Sequence, residues 1–311
     1  MSLQYTHLVL SGGGLSGLVY LGALRYLQQE GYDKNILHIS GSSIGAFFAA
    51  AFALNISMSE LENRFKIFFK DTEKCTIPVS MDSLLHSYDN LGIDDGKRLI
   101  HVIHDYLGHM TFLELSKKTG KNLIISTTHV ATMQPTYFSV DITPHVLVAD
   151  AVRASMAVPL FIRPVEIGED LYVDGGITDG VPIEPFAHVP EKLILILHLS
   201  QKAEKKQELI EIQKPIFIKF ITSILETYLS NYLSIRLLTN TYTNYCRFKK
   251  CPISFLPFIW DNDSSSLVMR IDDKQIDDSF AAGYQRVQSF LDYKEKEFNK
   301  LHKNRIFNLS V

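Results

Sequence analysis

In the first seventy positions, apolar residues form short runs, each followed by glycines and then by a helical spacing. His7-Leu-Val-Leu10 ends in Gly12-Gly13-Gly14, after which Leu18, Leu21, Leu24 and Leu27 recur at three-residue intervals before Gly31. A strand, a turn and a helix are predicted. Ile36 to Ile39 repeats the cycle, leading through Ser40-Gly41-Ser42-Ser43-Ile44-Gly45 into an apolar helix that runs to Leu54. Two βα units in succession predict an α/β fold: a largely parallel central sheet with helices on both faces. Ser57-x-x-Glu60 has the form of a capping box opening a third helix towards Lys70.

Beyond Lys70 the pattern changes. From Asp71 to Asp95 no period holds, and the stretch reads as an inserted loop or lid. Helices are predicted over 94–107 and 149–156, strands over 122–130, 137–140, 171–173, 193–199 and 267–271, and a last helix from Asp277. Residues 201–211 form a charge-rich link. From Pro215 to Leu238, Phe217, Phe220, Ile221, Ile224, Leu225 and Leu229 share one helical face. That face reads as a helix packed over the core, with an interfacial helix contacting lipid as the alternative. The expected division is a catalytic core over 6–190. Residues 191–311 then supply a final core strand and a C-terminal helical cover on the same domain.

Composition narrows the function classes. Of 311 residues, 46% are hydrophobic, which excludes a disordered polymer. A net charge of −3, from 31 basic and 34 acidic residues, removes the general electrostatic case for nucleic-acid binding. Cys75, Cys246 and Cys251 are too few and too scattered for a disulfide framework, and they fit a reducing compartment. The N-terminus lacks a basic segment leading into an apolar one, and Lys219, Glu226 and Arg236 interrupt the most apolar stretch. Neither a signal peptide nor a membrane span is expected. The expected location is cytoplasmic, with peripheral contact to membranes left open.

Two glycine turns carry the candidate chemistry. Gly12 to Gly17 satisfies G-x-G-x-x-G between strand and helix, the context of a dinucleotide fingerprint. Such a site also needs an acid near the end of the second strand, and Ser40-Gly41 stands there instead. The turn therefore reads as a cradle for negative charge formed during catalysis. Gly41-Ser42-Ser43-Ile44-Gly45 is G-x-S-x-G between an apolar strand and an apolar helix, the setting of a nucleophile elbow. Side chains at Gly41 or Gly45 would crowd that turn, and the Ile44 amide can face an oxyanion. Ser43 needs a base, and Asp174, at a strand end before Gly175-Gly176, is the candidate.

With G-G-G-x-x-G, G-x-S-x-G and D-G-G in this order, the chain resembles the patatin-like phospholipase family from about His7 to Pro185. The segment Ala149 to Pro159 also resembles the family's stretch ahead of D-G-G. The resemblance implies a three-layer α/β/α fold and a lipid acyl hydrolase of phospholipase A type that cleaves glycerophospholipids or other acyl lipids. It implies that Ser43 is the nucleophile and Asp174 the general base. Gly12, Gly13 and Gly14 would form the oxyanion hole together with the Ile44 amide, and no cofactor or metal is implied. Two positions depart from the pattern: Ser16, where the family often has a basic residue, and Asp179-Gly180-Val181-Pro182, where it often has Asn-x-Pro.

The sequence also admits other readings. His188 and His198 follow Ser43 and Asp174, so a Ser-Asp-His order is formally available. His101, His104, Asp105 and His109 share a predicted helix or its end, but without a fourth ligand they read as a solvated face. A catalytically silent lipid-binding protein of the same fold is the alternative from another class.

Overall fold

A computed structural model describes residues 4–71, 75–78, 91–199, 244–248, 251–253, 258–261 and 266–307. Strand β1 (His7–Leu10) leads through the first glycine turn into α1 (Val19–Gln29). Strand β2 (His38–Ser42) leads into α2 (Ile44–Ala53), followed by α3 (Met58–Lys70). Short strands β3 (Thr76–Pro78) and β4 (Gly92–Asp94) precede α4 (Lys97–Leu107) and α5 (Phe112–Thr119). Next come β5 (Asn122–His129), β6 (Gln134–Ser139), α6 (Val148–Ser155), β7 (Leu160–Ile162), β8 (Val165–Ile167) and β9 (Asp170–Asp174). Strands β10 (Ile194–Leu199), β11 (Tyr245–Phe248), β12 (Phe258–Asp261) and β13 (Ser266–Met269) lead to the long α7 (Asp273–Phe307).

Five strands run parallel in the order β11-β10-β1-β2-β5. Leu8, Val9 and Leu10 of β1 and Leu195, Ile196 and Leu197 of β10 are fully or almost fully buried, as strands covered on both faces must be. The sheet is mixed at one end. There β6 pairs antiparallel with β5, as does β9, with β8 beyond it. Since β6 and β9 both pair with Thr127 to His129, they occupy opposite edges of β5, and β9 shares its edge with β2. Helix α2 is buried along its whole length, and Lys121 Nζ donates to Phe52 O and to Asn55 Oδ1 at its C-terminal end.

The C-terminal cover is α7 packed on α1, and two glycines set how closely. A Cβ on Gly22 would lie 1.8 Å from Phe280 O, and one on Gly283 would lie 1.8 Å from Val19 O. The backbones touch because neither residue has a side chain. Helix α7 starts at Asp273, four positions before the expected Asp277, because Asp272 caps it: Asp272 Oδ1 accepts from Gln275 N and Gln275 Oε1 accepts from Asp272 N.

Several short elements had no expectation. Strands β3, β4, β7 and β8 have three residues each, too few to show a period, and two of them interrupt the stretch expected as a loop after Asp71. Helix α5 opens on a complete capping box between Thr111 and Glu114 that sequence reading overlooked. The expected link at 201–211 and the apolar helix from Pro215 to Leu238 lie outside the described residues.

Candidate active site

Ser43 sits between β2 and α2 with φ 54° and ψ −127°, a positive φ rare for a residue with a side chain. Both neighbouring glycines are required for this bend. A Cβ on Gly41 would come 2.4 Å from Gly45 O, and one on Gly45 would come 2.4 Å from Leu10 O. The Ser43 N–H donates to Ser155 Oγ at 2.8 Å, and Ser155 Oγ donates to Ser126 O at 2.6 Å. A buried hydroxyl from α6 thus ties the elbow to β5. Sequence reasoning missed this role, although Ser155 lies inside the Ala149–Pro159 segment.

The register around β5 brings the candidate base to the candidate nucleophile. Ser42, the last residue of β2, pairs with Ser126, and Asp174, the last residue of β9, pairs with the next residue, Thr127. Two strands thereby meet end to end along one edge of β5. Ser43 Oγ donates to Asp174 Oδ2 at 2.6 Å, and Gly176 N donates to Asp174 Oδ1 at 2.7 Å. Asp174 is buried, and loss of hydration pushes its carboxyl up to about 6; the bonds from Ser43 and Gly176 oppose that rise. Thr128 Oγ1 donates to the Asp174 carbonyl at 2.9 Å and lies 2.8 Å from Thr178 Oγ1.

The oxyanion candidates separate. Gly12 N donates to Gly180 O at 2.9 Å, so its amide is committed to the loop after β9 and is removed from the set of free donors. Gly13 and Gly14 remain, but the left-handed φ in this loop belongs to Gly14 (53°), while Gly13 is extended. At Gly13 space is the constraint: a Cβ there would lie 2.4 Å from Leu199 Cδ1 and 2.9 Å from Leu199 Cβ. Ile44 opens α2, so its N–H has no acceptor within the helix and stands at the positive end of the helix dipole. Gly17 acts through packing, since a Cβ there would meet Ile44 Cγ1 and Cγ2 at 2.6 Å.

The two departures from the family pattern have local partners. Ser16 Oγ donates to Ile253 O at 2.9 Å. Asp179 is buried, and its Oδ2 accepts from Tyr137 Oη at 2.6 Å. Gly175 packs against β5, where a Cβ would lie 2.2 Å from Ser126 O.

The histidines lie elsewhere. His188 is exposed and acts electrostatically on His7 and His38, which open β1 and β2 at the sheet end opposite Ser43. His198 is buried with Nδ1 against the Tyr245 hydroxyl, and burial, reinforced by Arg247, lowers it to about 3. His104 stacks on His109 with ring centroids 4.4 Å apart, and its Nε2 lies 3.5 Å from Asp150. Among the described residues, no group of three or more His, Cys, Asp or Glu side chains could hold a metal ion. Cys75 Sγ donates to Phe68 O at 3.6 Å, and neither Cys246 nor Cys251 is in a disulfide.

A cavity of about 200 Å³ begins at Ser43, Gly14 and Ile44 and runs between α2, α3 and α4. Phe47, Phe65, Phe69, Ile103 and Tyr106 make most of that wall, with Val158 and Ile162 on another side. Phe47 stands one helical turn beyond Ile44, and its ring meets those of Phe65 and Tyr106 at 5.8 and 6.0 Å. Sequence reading missed this wall, because phenylalanines spaced along α2 and α3 carry the same signal as core packing. Among the described residues, no helix is long and apolar enough to cross a membrane.

The family model described as "Patatin-like phospholipase" matches residues 8–187. An uncharacterised protein of Acanthamoeba polyphaga mimivirus is 29% identical over 92% of this chain and 93% of its own length. "Probable lipid hydrolase 463L" of Invertebrate iridescent virus 6 is 24% identical over 76% of this chain and 79% of its own. "Triacylglycerol lipase 4" of Saccharomyces cerevisiae is 29% identical over 57% of this chain, but only 22% of that protein is covered. Among solved structures, VipD from Legionella pneumophila superposes with a TM-score of 0.55 at 17% identity, covering 93% of this chain and 67% of VipD, which speaks for the fold alone.

Proposed function

The chain belongs to the patatin-like phospholipase family and is a lipid acyl hydrolase acting on carboxylic esters, and on that premise we propose that Ser43 and Asp174 are its catalytic dyad, of phospholipase A type. The observation that carries this reading is the 2.6 Å bond from Ser43 Oγ to a buried carboxylate. A free aspartate is a feeble base at neutral pH, but one raised to about 6 sits close to the working range.

Asp174 takes the Ser43 proton as Oγ attacks the ester carbonyl. The oxyanion forms towards the amides of Gly13, Gly14 and Ile44, each worth about 2.7–4 kcal/mol if typical of such donors. Collapse passes the proton from Asp174 to the leaving alcohol and leaves the acyl group on Ser43. Asp174 then deprotonates water, which attacks the acyl-enzyme, and the proton returns from Asp174 to Ser43 Oγ as the fatty acid leaves. Apart from the attacking water, every step uses groups of the chain itself.

The cavity supports an acyl chain as the occupant. Its walls are aromatic and aliphatic beside Ser43, and its 200 Å³ is below the roughly 300–1,000 Å³ of typical ligand pockets. It has room for part of one acyl chain, and the glycerol, headgroup and second chain stay outside. A glycerophospholipid is the substrate class we infer. The test is mass spectrometry of products from phosphatidylcholine vesicles and from a triacylglycerol emulsion, for wild type and Ser43→Ala. Fatty acid and lysophospholipid from wild type alone support the reading. Release from triacylglycerol alone overturns the phospholipid assignment, and equal release by Ser43→Ala overturns the dyad.

A further inference from the structure

A cavity that takes part of one acyl chain leaves the rest of the lipid against the protein surface beside it. Strands β4 and β7 form a two-stranded parallel ribbon there, pairing Gly92 with Leu160 and Asp94 with Ile162. Asp94, Val158 and Ile162 all belong to the cavity wall. Leu160, between two of those wall residues, is turned to solvent and 49% exposed, and Leu91, next to Gly92, is 54% exposed.

Both leucines also hold left-handed backbone conformations, with φ of 71° at Leu160 and 57° at Leu91. Glycine adopts that region without steric cost, whereas a bulky side chain there is an outlier. Single exposed leucines are ordinary on protein surfaces. Leu160 and Leu91, the residue next to its partner Gly92, both strained and both at the ribbon that borders an apolar cavity, are not. Strain of this kind persists where it serves function.

We infer that Leu91 and Leu160 form an apolar docking edge that inserts into a lipid surface and presents the cavity to it. This rests on the acyl-lipid reading of Ser43. The occupant is a bilayer interface because the edge is continuous with a cavity whose content is a lipid chain. A substrate can then pass from membrane to Ser43 without its chain crossing water. Since the edge is apolar, docking on zwitterionic vesicles is insensitive to salt, which screens charges only.

The experiment uses two double variants, Leu91→Ser with Leu160→Ser and Leu91→Gly with Leu160→Gly. Co-sedimentation with phosphatidylcholine vesicles is measured in a Ser43→Ala background. Hydrolysis of vesicle lipid and of a soluble short-chain nitrophenyl ester is measured with Ser43 intact. Vesicle binding and vesicle hydrolysis fall roughly tenfold or more in both double variants. Soluble-ester hydrolysis stays within about twofold of the parent, and the glycine pair melts at a higher temperature because its backbone strain is relieved. Unchanged vesicle binding overturns the proposal, as does an equal loss on the soluble ester, which would place the effect in the site itself. A dimer that the variants split, with vesicle binding unchanged, gives the edge to a second copy of the chain and also overturns it. Because binding is read on the Ser43→Ala protein, a parent that hydrolyses neither ester refutes the hydrolase reading separately.

Discussion

The Gly12 amide donates to the Gly180 carbonyl at 2.9 Å, which stitches the turn after β1 to the turn after β9. The first turn supplies the candidate oxyanion donors and the second follows the proposed base, Asp174, so neither can shift without the other. Gly12 also borders the proposed nucleophile, since a Cβ there would lie 3.2 Å from Ser43 Cβ. Gly12→Ala therefore keeps the stitching amide but presses Ser43 aside by a few tenths of an ångström. The expected result is a fall in kcat of about tenfold or more with an unchanged circular dichroism spectrum. Wild-type turnover in this variant would show that the site tolerates the displacement.

Asp174 links activity to pH and stability in opposite directions. Its carboxyl, raised to about 6, binds a proton more tightly in the folded chain than the ordinary value near 3.9 allows in the unfolded one. Its stabilising contribution is full below about pH 4 and is lost as pH rises towards 6. Above pH 6 the buried charge costs on the order of 2–3 kcal/mol. Activity runs the other way, with kcat/KM rising through about pH 6 as the base ionises. Asp174→Asn should lose activity as fully as Ser43→Ala yet melt at a higher temperature than wild type at pH 7–8. Thermal melts across pH 4–8 check both signs.

Ser155 is a positioning residue. Its hydroxyl accepts from Ser43 N and donates to Ser126 O, both buried. Ser155→Ala leaves that donor and that acceptor unpaired, at a cost of about 1–3 kcal/mol each before relaxation. The nucleophile loosens, while the cavity wall is untouched. Expected kinetics are a reduced kcat with KM little changed, and Ser155→Thr should restore part of kcat. A rise in KM alone would remove the positioning role.

Replacement of His188 by Ala and of His198 by Gln should each leave activity within about tenfold of wild type, a loss of no more than roughly 1.4 kcal/mol. The Asp174 carboxylate already accepts from Ser43 and Gly176, and neither imidazole is among those partners. Collapse of activity in either folded variant would replace the dyad with a triad.

The fold has its own test at the helix crossing. Gly22→Leu puts a side chain where α7 backbone already lies, with Phe280 O 1.8 Å from the new Cβ. Overpacking typically costs about 1–3 kcal/mol, and a backbone collision with no rotamer to relieve it belongs at or above the top of that range. A melting temperature within a degree of wild type would mean that the two helices do not touch in solution.

Local features of the sequence determined the two βα units and the elbow. Four-residue apolar runs, leucines at helical spacing and obligatory glycines act over a few positions. The physical reason for Gly41 is a collision with Gly45 O one helical turn on, whereas Gly45 is required by the backbone of β1 at Leu10. Asp174 could be singled out because it ends a strand before a glycine pair. The caps at Asp272 and Thr111 were equally local, and could have been read from spacing alone.

Tertiary structure alone decided how these pieces act together. The bond between Ser43 and Asp174 spans 131 positions and exists because β9 joins β5 antiparallel, on the edge where β2 stops. No local period encodes that register, since strand pairing depends on partners far apart in the chain. The same holds for the diversion of the Gly12 amide to Gly180, for Ser155 beneath the elbow and for phenylalanines that line a cavity instead of filling a core. Apolar spacing says that a helix face is buried; what it is buried against is settled only when the helices and strands have packed.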